Sequence, residues 1–378
     1  MTAYLVAPRR SPVVPRGGAF AALEVDALAT PVMRACLESA GVEGGSIDEV
    51  IAGNALYGGG NPARRAALLA GLPDSVPAIT IDRQCCSGLD AIAHAARLVE
   101  AGAADCVLAG GAESYSRAPI RLRRPMDEGG EPVAYDRPPF TPWPERDPDM
   151  AEAALALAVQ LGIDEEAQIA FAVASHAAAR RAGASGGHEE EIVPLEDVPA
   201  DLFTRDLSPE TGRRSRALAR AGDNRLLAAT AAVSADAAAF ALVVSEAWMQ
   251  ANPRLGACRI VDSAAAGSDP RLPGLAPVVA GRRLLDRHHV DAGSLAVAEV
   301  MEAYAAQAIA CIDGLGLDPA RVNRGGGALA RGHPIGASGA VLAVRLFHEL
   351  LGEPGGSRGL AAIASAGGLG TALLLERV

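Results

Sequence analysis

Asp82-Arg83-Gln84-Cys85-Cys86-Ser87-Gly88-Leu89-Asp90-Ala91-Ile92-Ala93-His94 is the stretch on which the reading of this chain turns. The apolar run Val76–Ile81 before it has the look of a strand, and the alanine-rich pattern after it, through Leu98, that of a helix. Two adjacent cysteines therefore sit on a sharp turn or in the first turn of a helix. Helix N-terminal amides favour a thiolate, and a thiol so placed suits covalent catalysis. Two small apolar side chains packed in a core fit the same stretch equally well.

Outward from this unit, strands and helices alternate. Residues 3–7 and 49–55 read as strands, and 23–40 as a helix stopped by Gly41. Asp105–Ala109 reads as a buried strand running into Gly110-Gly111-Ala112-Glu113-Ser114. This alternation predicts an α/β protein with a largely parallel sheet. Residues 119–222 differ, with many Pro, Arg and Asp residues, mostly loop over 125–148, and helical runs at 150–161 and 164–182. They read as a lid or inserted loop domain. The polar connection through Arg213-Arg214-Ser215-Arg216 fits either a phosphate contact or a solvated loop. Ser234–Phe240 reads as an alanine-rich helix before a strand at 241–245. The last third repeats the earlier theme, with strands at 259–266, 294–299, 360–363 and 371–376 and helices at 302–315 and 340–351.

The two ends are alike. Ser87-Gly88 opens a helix, after which a strand runs to Gly110-Gly111; Ser338-Gly339 opens a helix, after which a strand runs to Gly367-Gly368. Cys85 precedes the first Ser-Gly and His333 the second. This weak repeat predicts two similar α/β halves with facing turns. Residues 1–118 and 223–245 would form the first half, 119–222 the loop domain and 246–378 the second half. A cysteine and a histidine brought together in this way make a nucleophile and its base, and the glycines around His333 leave amides free for an oxyanion.

Composition narrows the classes. The 378 residues are half hydrophobic with a formal net charge of −11, which argues against nucleic acid as the main partner. All 34 basic residues are arginine, a bias from which no function is drawn. The six cysteines show neither metal-ligand spacing nor a disulfide framework, which fits a reducing, cytoplasmic setting. The N-terminus does not read as a signal peptide, and there is no apolar run of about 18 residues to span a membrane. No Gly-x-Gly-x-x-Gly follows an early strand, so a nucleotide-dependent dehydrogenase is disfavoured. Metal catalysis is disfavoured too, since His288-His289 lacks partners at ligand spacing. Asp90 reads as a dipole or surface residue.

Taken together, Glu49-Val50-Ile51-Ala52-Gly53-Asn54, Asn61-Pro62-Ala63-Arg64, Arg83-Gln84-Cys85-Cys86-Ser87-Gly88-Leu89, Gly110 to Ser116, Glu302 to Gln307 and Gly332-His333-Pro334-Ile335-Gly336-Ala337-Ser338-Gly339 resemble the thiolase family over nearly the full length. These are acyl-CoA acyltransferases that make or cleave a carbon–carbon bond beside a thioester. The resemblance implies a layered αβαβα fold of two similar halves, each a mixed sheet covered by helices, plus a loop domain that grips coenzyme A. It implies Cys85 as the acylated nucleophile, His333 as its activator, and a coenzyme A thioester as substrate with no permanently bound cofactor. Met150, Ala232, Ala303 and Tyr304 would line the pantetheine and acyl tunnel, and Arg213, Arg214 or Arg216 would meet the nucleotide phosphates. A homodimer or homotetramer is also implied, with a second kind of subunit left open.

The departures from the family pattern bear on the reaction. Met301 replaces the asparagine of Asn-Glu-Ala-Phe that holds an oxyanion water. In the C-terminal Cys-x-Gly motif, counting back from Glu376 puts Ala364 at the basic cysteine, whereas a one-residue gap puts Ser365 there and gives Ser365-Ala366-Gly367. Ala232 replaces a serine that faces the pantetheine, and Gly325-Gly326-Gly327 replaces Asn-Gly-Gly. Three outcomes follow. The chain makes or breaks carbon–carbon bonds with a substitute base, transfers or hydrolyses acyl groups without that step, or binds coenzyme A esters as a non-catalytic subunit.

Overall fold

The computed structural model describes residues 1–56 and 58–378. Nine strands follow one another across the main sheet in the order Val297–Val300, Arg358–Ser365, Leu369–Arg377, Ala257–Gly267, Ala3–Arg10, Ala235–Ser245, Cys106–Glu113, Glu49–Gly53 and Ala78–Ile81; the short Val14–Pro15 strand pairs with Ala235–Ser245. The sequence is written twice in this order. In each half the first strand pairs antiparallel with the last, the last pairs antiparallel with the strand after the central helix, and that strand pairs parallel with an earlier one. The halves join through their first strands, with Ala3 opposite Ile260 and Leu5 opposite Cys258.

The sheet is therefore mixed, not largely parallel. Strand–helix alternation gives parallel neighbours only where a helix crosses over. Here each half also returns its final strand to its own centre, which makes those ladders antiparallel.

The predicted helix at 234–240 is also corrected. Ala235–Ser245 is a single strand, buried along its whole length. It lies between Ala3–Arg10 and Cys106–Glu113, where ladder pairing and burial on both faces override alanine's helix preference.

Three apolar layers build the core. Helix Val25–Ala40 covers the outer face of the first half, closed by Gly41 at φ 64°. Helices Ala276–Arg287 and Ala305–Leu315 cover the second half. Between the two half-sheets lie helices Ser87–Glu100 and Ile335–Leu351, in the core that holds Leu89, Ile92, Leu342 and Phe347. The paired Ser-Gly dipeptides explain this contact. A Cβ on Gly339 would lie 2.4 Å from the Leu89 amide nitrogen, and one on Gly88 would lie 2.7 Å from that of Ala340. Only hydrogen at these positions lets the helices cross closely enough to set their N-terminal turns side by side. The Gly-Gly pairs, by contrast, are not equivalent. Gly110-Gly111 lies within a strand, whereas Gly367-Gly368 forms a turn with φ 76° at both residues.

Residues 119–222 carry helices Met150–Leu161, Glu165–Ala184 and Pro209–Arg213 and the short hairpin Leu122–Arg123/Val133–Ala134. A second hairpin, Ala217–Ala221 with Asn224–Leu227, starts within this stretch. A buried charge network ties the stretch to both halves. Arg10 bonds Glu191 at 2.9 Å and Asp201 at 2.7 Å, and Arg345 bonds the other Glu191 oxygen at 2.7 Å. The two guanidiniums hold the Glu191 carboxyl far below its ordinary range despite its burial.

Candidate active site

Cys85 sits in a one-turn 3-10 helix, Gln84–Cys86, between strand Ala78–Ile81 and helix Ser87–Glu100. Gln84 adopts φ 45°, a left-handed conformation costly for a residue with a Cβ. Its surroundings hold it there. The Gln84 amide donates to Asp82 at 2.7 Å, the Ser87 hydroxyl donates to the Gln84 carbonyl at 2.7 Å, and Ser365 Oγ lies 2.9 Å from Gln84 Oε1. This turn separates the two cysteines. Cys85 faces a cavity, whereas Cys86 is buried in the core with its sulfur on the Ile363 carbonyl.

His333 Nε2 lies 3.1 Å from Cys85 Sγ. Its other nitrogen, Nδ1, is 2.7 Å from Ser338 Oγ, and that hydroxyl donates to the Pro334 carbonyl at 3.0 Å. With its one proton so placed, Ser338 accepts from Nδ1–H, which leaves a lone pair on Nε2 facing the thiol. The His333 backbone is fixed by its amide bond to Val233 at 2.7 Å.

The expected thiolate is not the resting state. Burial pushes the Cys85 thiol up to about 12, and the nearby carboxylates of Glu113 and Asp82 push the same way. Burial pushes His333 down to about 4. Desolvation outweighs the helix N-terminus here, so thiol and imidazole rest neutral. Glu113 also positions the site. Its carboxylate accepts from Asn54, Ala55, Leu56 and Gly336, tying one cavity wall to the turn that carries His333. Burial pushes it up to about 7 although the Ala55, Gly336 and Leu56 amides pull it down.

The cavity over this pair has a volume of about 760 Å³. Met150, Ala232, Ala303, Tyr304 and Ser365 line it together with Cys85 and His333. Asp149 caps the Met150–Leu161 helix through the Ala151 amide at 2.8 Å and so brings Met150 to the wall. Ala232 and Ala303 form a second wall through a 2.9 Å backbone bond.

Other candidates lie elsewhere. Met301 is buried in the core beneath the site. Gly367 occupies the turn against the Phe140 carbonyl, outside the lining. Arg213 and Arg216 do not line the cavity; Arg213 is tied to Glu166 at 2.6 Å and Arg214 to Glu210 at 3.6 Å. Ser365 does line it, but its hydroxyl is 2.9 Å from both the Arg83 carbonyl and Gln84 Oε1, and its single proton is engaged there. Asp90 is buried, not a surface residue: it pairs with Arg83 at 2.8 Å and accepts from Thr371.

Sequence reading missed Ser338, which bonds His333, and Tyr115, Ser234 and Arg121, which line the cavity, although Ser338 and Tyr115 stand inside the quoted motifs. Ser338 follows His333 by one helical turn and the bend of Pro334, a spacing that carries the tautomer argument.

Residues 3–247 match the thiolase N-terminal domain and residues 256–377 the thiolase C-terminal domain. The chain belongs to the thiolase family, and with it to the acyltransferases. It is 39% identical to the putative acetyl-CoA C-acetyltransferase YhfS of Bacillus subtilis, covering 100% of this chain and 99% of that protein. It is 36% identical to the putative acetyl-CoA C-acetyltransferase VraB of Staphylococcus aureus, covering 99% of each. Among solved structures, the acetyl-CoA acetyltransferase of Bacillus anthracis superposes with TM-score 0.91 at 33% identity, covering 100% of this chain and 99% of that one. The Acat5 thiolase of Ascaris suum in complex with coenzyme A superposes with TM-score 0.92 at 29% identity over the whole of both chains.

Proposed function

We propose that this chain moves acyl groups from coenzyme A thioesters through a thioester on Cys85. The observation that carries this reading is His333 Nε2 at 3.1 Å from the Cys85 sulfur, on the wall of a cavity large enough for an acyl-pantetheine arm. His333 takes the thiol proton as sulfur adds to the thioester carbonyl. The bond to the coenzyme A sulfur then breaks, and that sulfur leaves with the proton from His333. Acyl-Cys85 and free coenzyme A result.

The pantetheine arm runs past Met150, Ala232, Ala303 and Tyr304. Arg216, exposed and without an ion pair among the described residues, is the candidate for the nucleotide phosphates, since Arg213 is held by Glu166. The acceptor step divides two readings. Carbon–carbon bond formation or cleavage is the reading the relatives' names support. Transfer to a heteroatom acceptor, or hydrolysis, is supported by Ala364 on the cavity wall and by the engaged proton of Ser365, which leave neither residue suited to deprotonate carbon. A second copy of the chain fits the free side of edge strand Ala78–Ile81, where Ile79 is 45% exposed. The six unpaired cysteines support a cytoplasmic setting, and no helix among the described residues is long and apolar enough to cross a membrane.

Incubation with a panel of acyl-CoAs and β-ketoacyl-CoAs, read by intact mass and coenzyme A release, tests this directly. The acyl adduct is expected on wild type and on Cys86→Ala and absent from Cys85→Ala. Absence of an adduct with every thioester would overturn the reading, and free acid as sole product would select hydrolysis.

A further inference from the structure

Arg121 is a charged group that the chemistry above leaves unused. It lines the same cavity as Cys85 and His333 and is half-buried. Among the described residues, one of the five N–H donors on its guanidinium is engaged, from Nη2 to the Ala55 carbonyl at 3.3 Å, and it makes no ion pair. The other arginine on the wall, Arg137, is by contrast held by Asp147 through both terminal nitrogens. Asp82 and Asp136 are the carboxylates of the same lining; Asp82 accepts from the Gln84 amide, and neither pairs with Arg121.

Its anchoring says which part of a substrate it meets. The Ala55 amide donates to Glu113, and the same Glu113 oxygen accepts from Gly336, three residues beyond His333. Arg121 thus hangs from the wall that is tied to the catalytic turn. In the acyltransferase reading above, the pantetheine arm instead follows Met150, Ala303 and Tyr304, which line the same cavity. When a thioester carbonyl lies on Cys85, the coenzyme A phosphates are a pantetheine arm away, so an anion reaching Arg121 belongs to the acyl chain.

We propose that Arg121 is a carboxylate subsite, and that the preferred substrates are coenzyme A thioesters whose acyl chain ends in a second carboxylate. This rests on the acyltransferase reading of Cys85. A guanidinium with free donors takes a carboxylate through paired, charge-assisted bonds, and an alkyl end leaves those donors without a partner.

The test compares rates of Cys85 acylation by glutaryl-CoA and butyryl-CoA, and by the same acyl groups on pantetheine. Glutaryl is expected to lead by about 10- to 100-fold on both carriers. Arg121→Ala is expected to erase that lead and Arg121→Lys to restore part of it. Should Arg121→Ala fail to fold, the wild-type comparison decides alone. Equal glutaryl and butyryl rates would overturn the proposal, as would an Arg121→Ala loss shared by both CoA esters and absent from both pantetheine esters, which marks a phosphate contact. No adduct from any thioester would instead overturn the acyltransferase reading itself.

Discussion

Ser338 Oγ and His333 Nδ1 lie 2.7 Å apart, and this contact decides which ring nitrogen faces Cys85. Because the Ser338 proton is donated to Pro334, the histidine must donate from Nδ1 and keep Nε2 bare. Ser338→Ala removes that preference. One lost hydrogen bond of about 1 kcal/mol corresponds to roughly a five- to tenfold loss. Cys85 acylation, followed by coenzyme A release, should slow by about that factor. A rate equal to wild type would show that Ser338 does not set the tautomer.

The pH profile should be broad. His333 is pushed down to about 4 by burial, so it stays an unprotonated base above that value. Cys85 is pushed up to about 12, chiefly by burial, so it stays a thiol across the neutral range. The rate constant for acylation should rise through pH 4 and then stay level from about pH 5 to 9. An inflection near the ordinary value of either group would mean that water enters the pair.

Gly339→Ala tests the crossing that brings the two turns together. Its Cβ would meet the Leu89 amide nitrogen at 2.4 Å, and backbone cannot rotate out of the way as a side chain can. The helices must separate, at a cost of about 1–3 kcal/mol for an overpacked core. Denaturant unfolding should report this loss, and acylation should slow as Cys85 and His333 move apart. Wild-type stability in Gly339→Ala would mean that the helices have slack at this point.

These tests also show what the sequence made legible. Local signals carried the outer helix ended by Gly41, the Cys85 turn and the two halves, because turn residues and periodicity act over a few positions. Ala235–Phe240, the first part of that strand, was misread because its alanines were chosen by neighbours on both faces of the sheet. Strand–helix alternation missed the antiparallel ladders for a similar reason, since strand order is set by long-range return of the chain; the mixed sheets came only with the family resemblance. At the site, Cys85 and His333 stood out by motif. Burial does not show in a motif, so the neutral state of the pair was hidden. Arg213 stood out as a charge, but its Glu166 partner lies on another helix.

Glu299 gives a pH-dependent stability test. It is fully buried, and neither carboxylate oxygen has a hydrogen-bond partner among the described residues. Burial pushes it up to about 8, while Arg345 and Arg331 pull it down and Glu349 and Glu191 push it up. The folded chain keeps this proton to about pH 8, whereas the unfolded chain releases it near the ordinary 4.5. Folding therefore takes up a proton between these values, and this group's contribution to stability falls as pH rises through that window. Glu299→Gln stays neutral throughout. Its melting temperature should exceed that of wild type at pH 8.5, with the two converging at pH 5. A constant difference across this range would show that Glu299 is not the titrating group.

Ala364 and Ser365 both line the cavity, but they differ in aim. Ser365 is 3% exposed, with its hydroxyl turned to the Arg83 carbonyl and Gln84, where it braces the strained turn before Cys85. Ala364 is half-buried and opens to the cavity with a methyl group. A thiol introduced by Ala364→Cys would face the substrate, whereas one introduced by Ser365→Cys would face the Gln84 turn and lose the brace. Ala364→Cys should therefore gain carbon–carbon condensation of two acyl-CoAs, measured as β-ketoacyl-CoA formed per acyl-Cys85. A base acting in the transition state contributes about 100-fold or more, so even a poorly placed thiol should give a measurable rise. Ser365→Cys should lose acylation instead, because Gln84 is no longer held at its positive φ. A gain in Ser365→Cys without one in Ala364→Cys would reverse the assignment. No gain in either, with Cys85 still acylated, would mean that this cavity lacks more than a base and that its acceptor is not carbon.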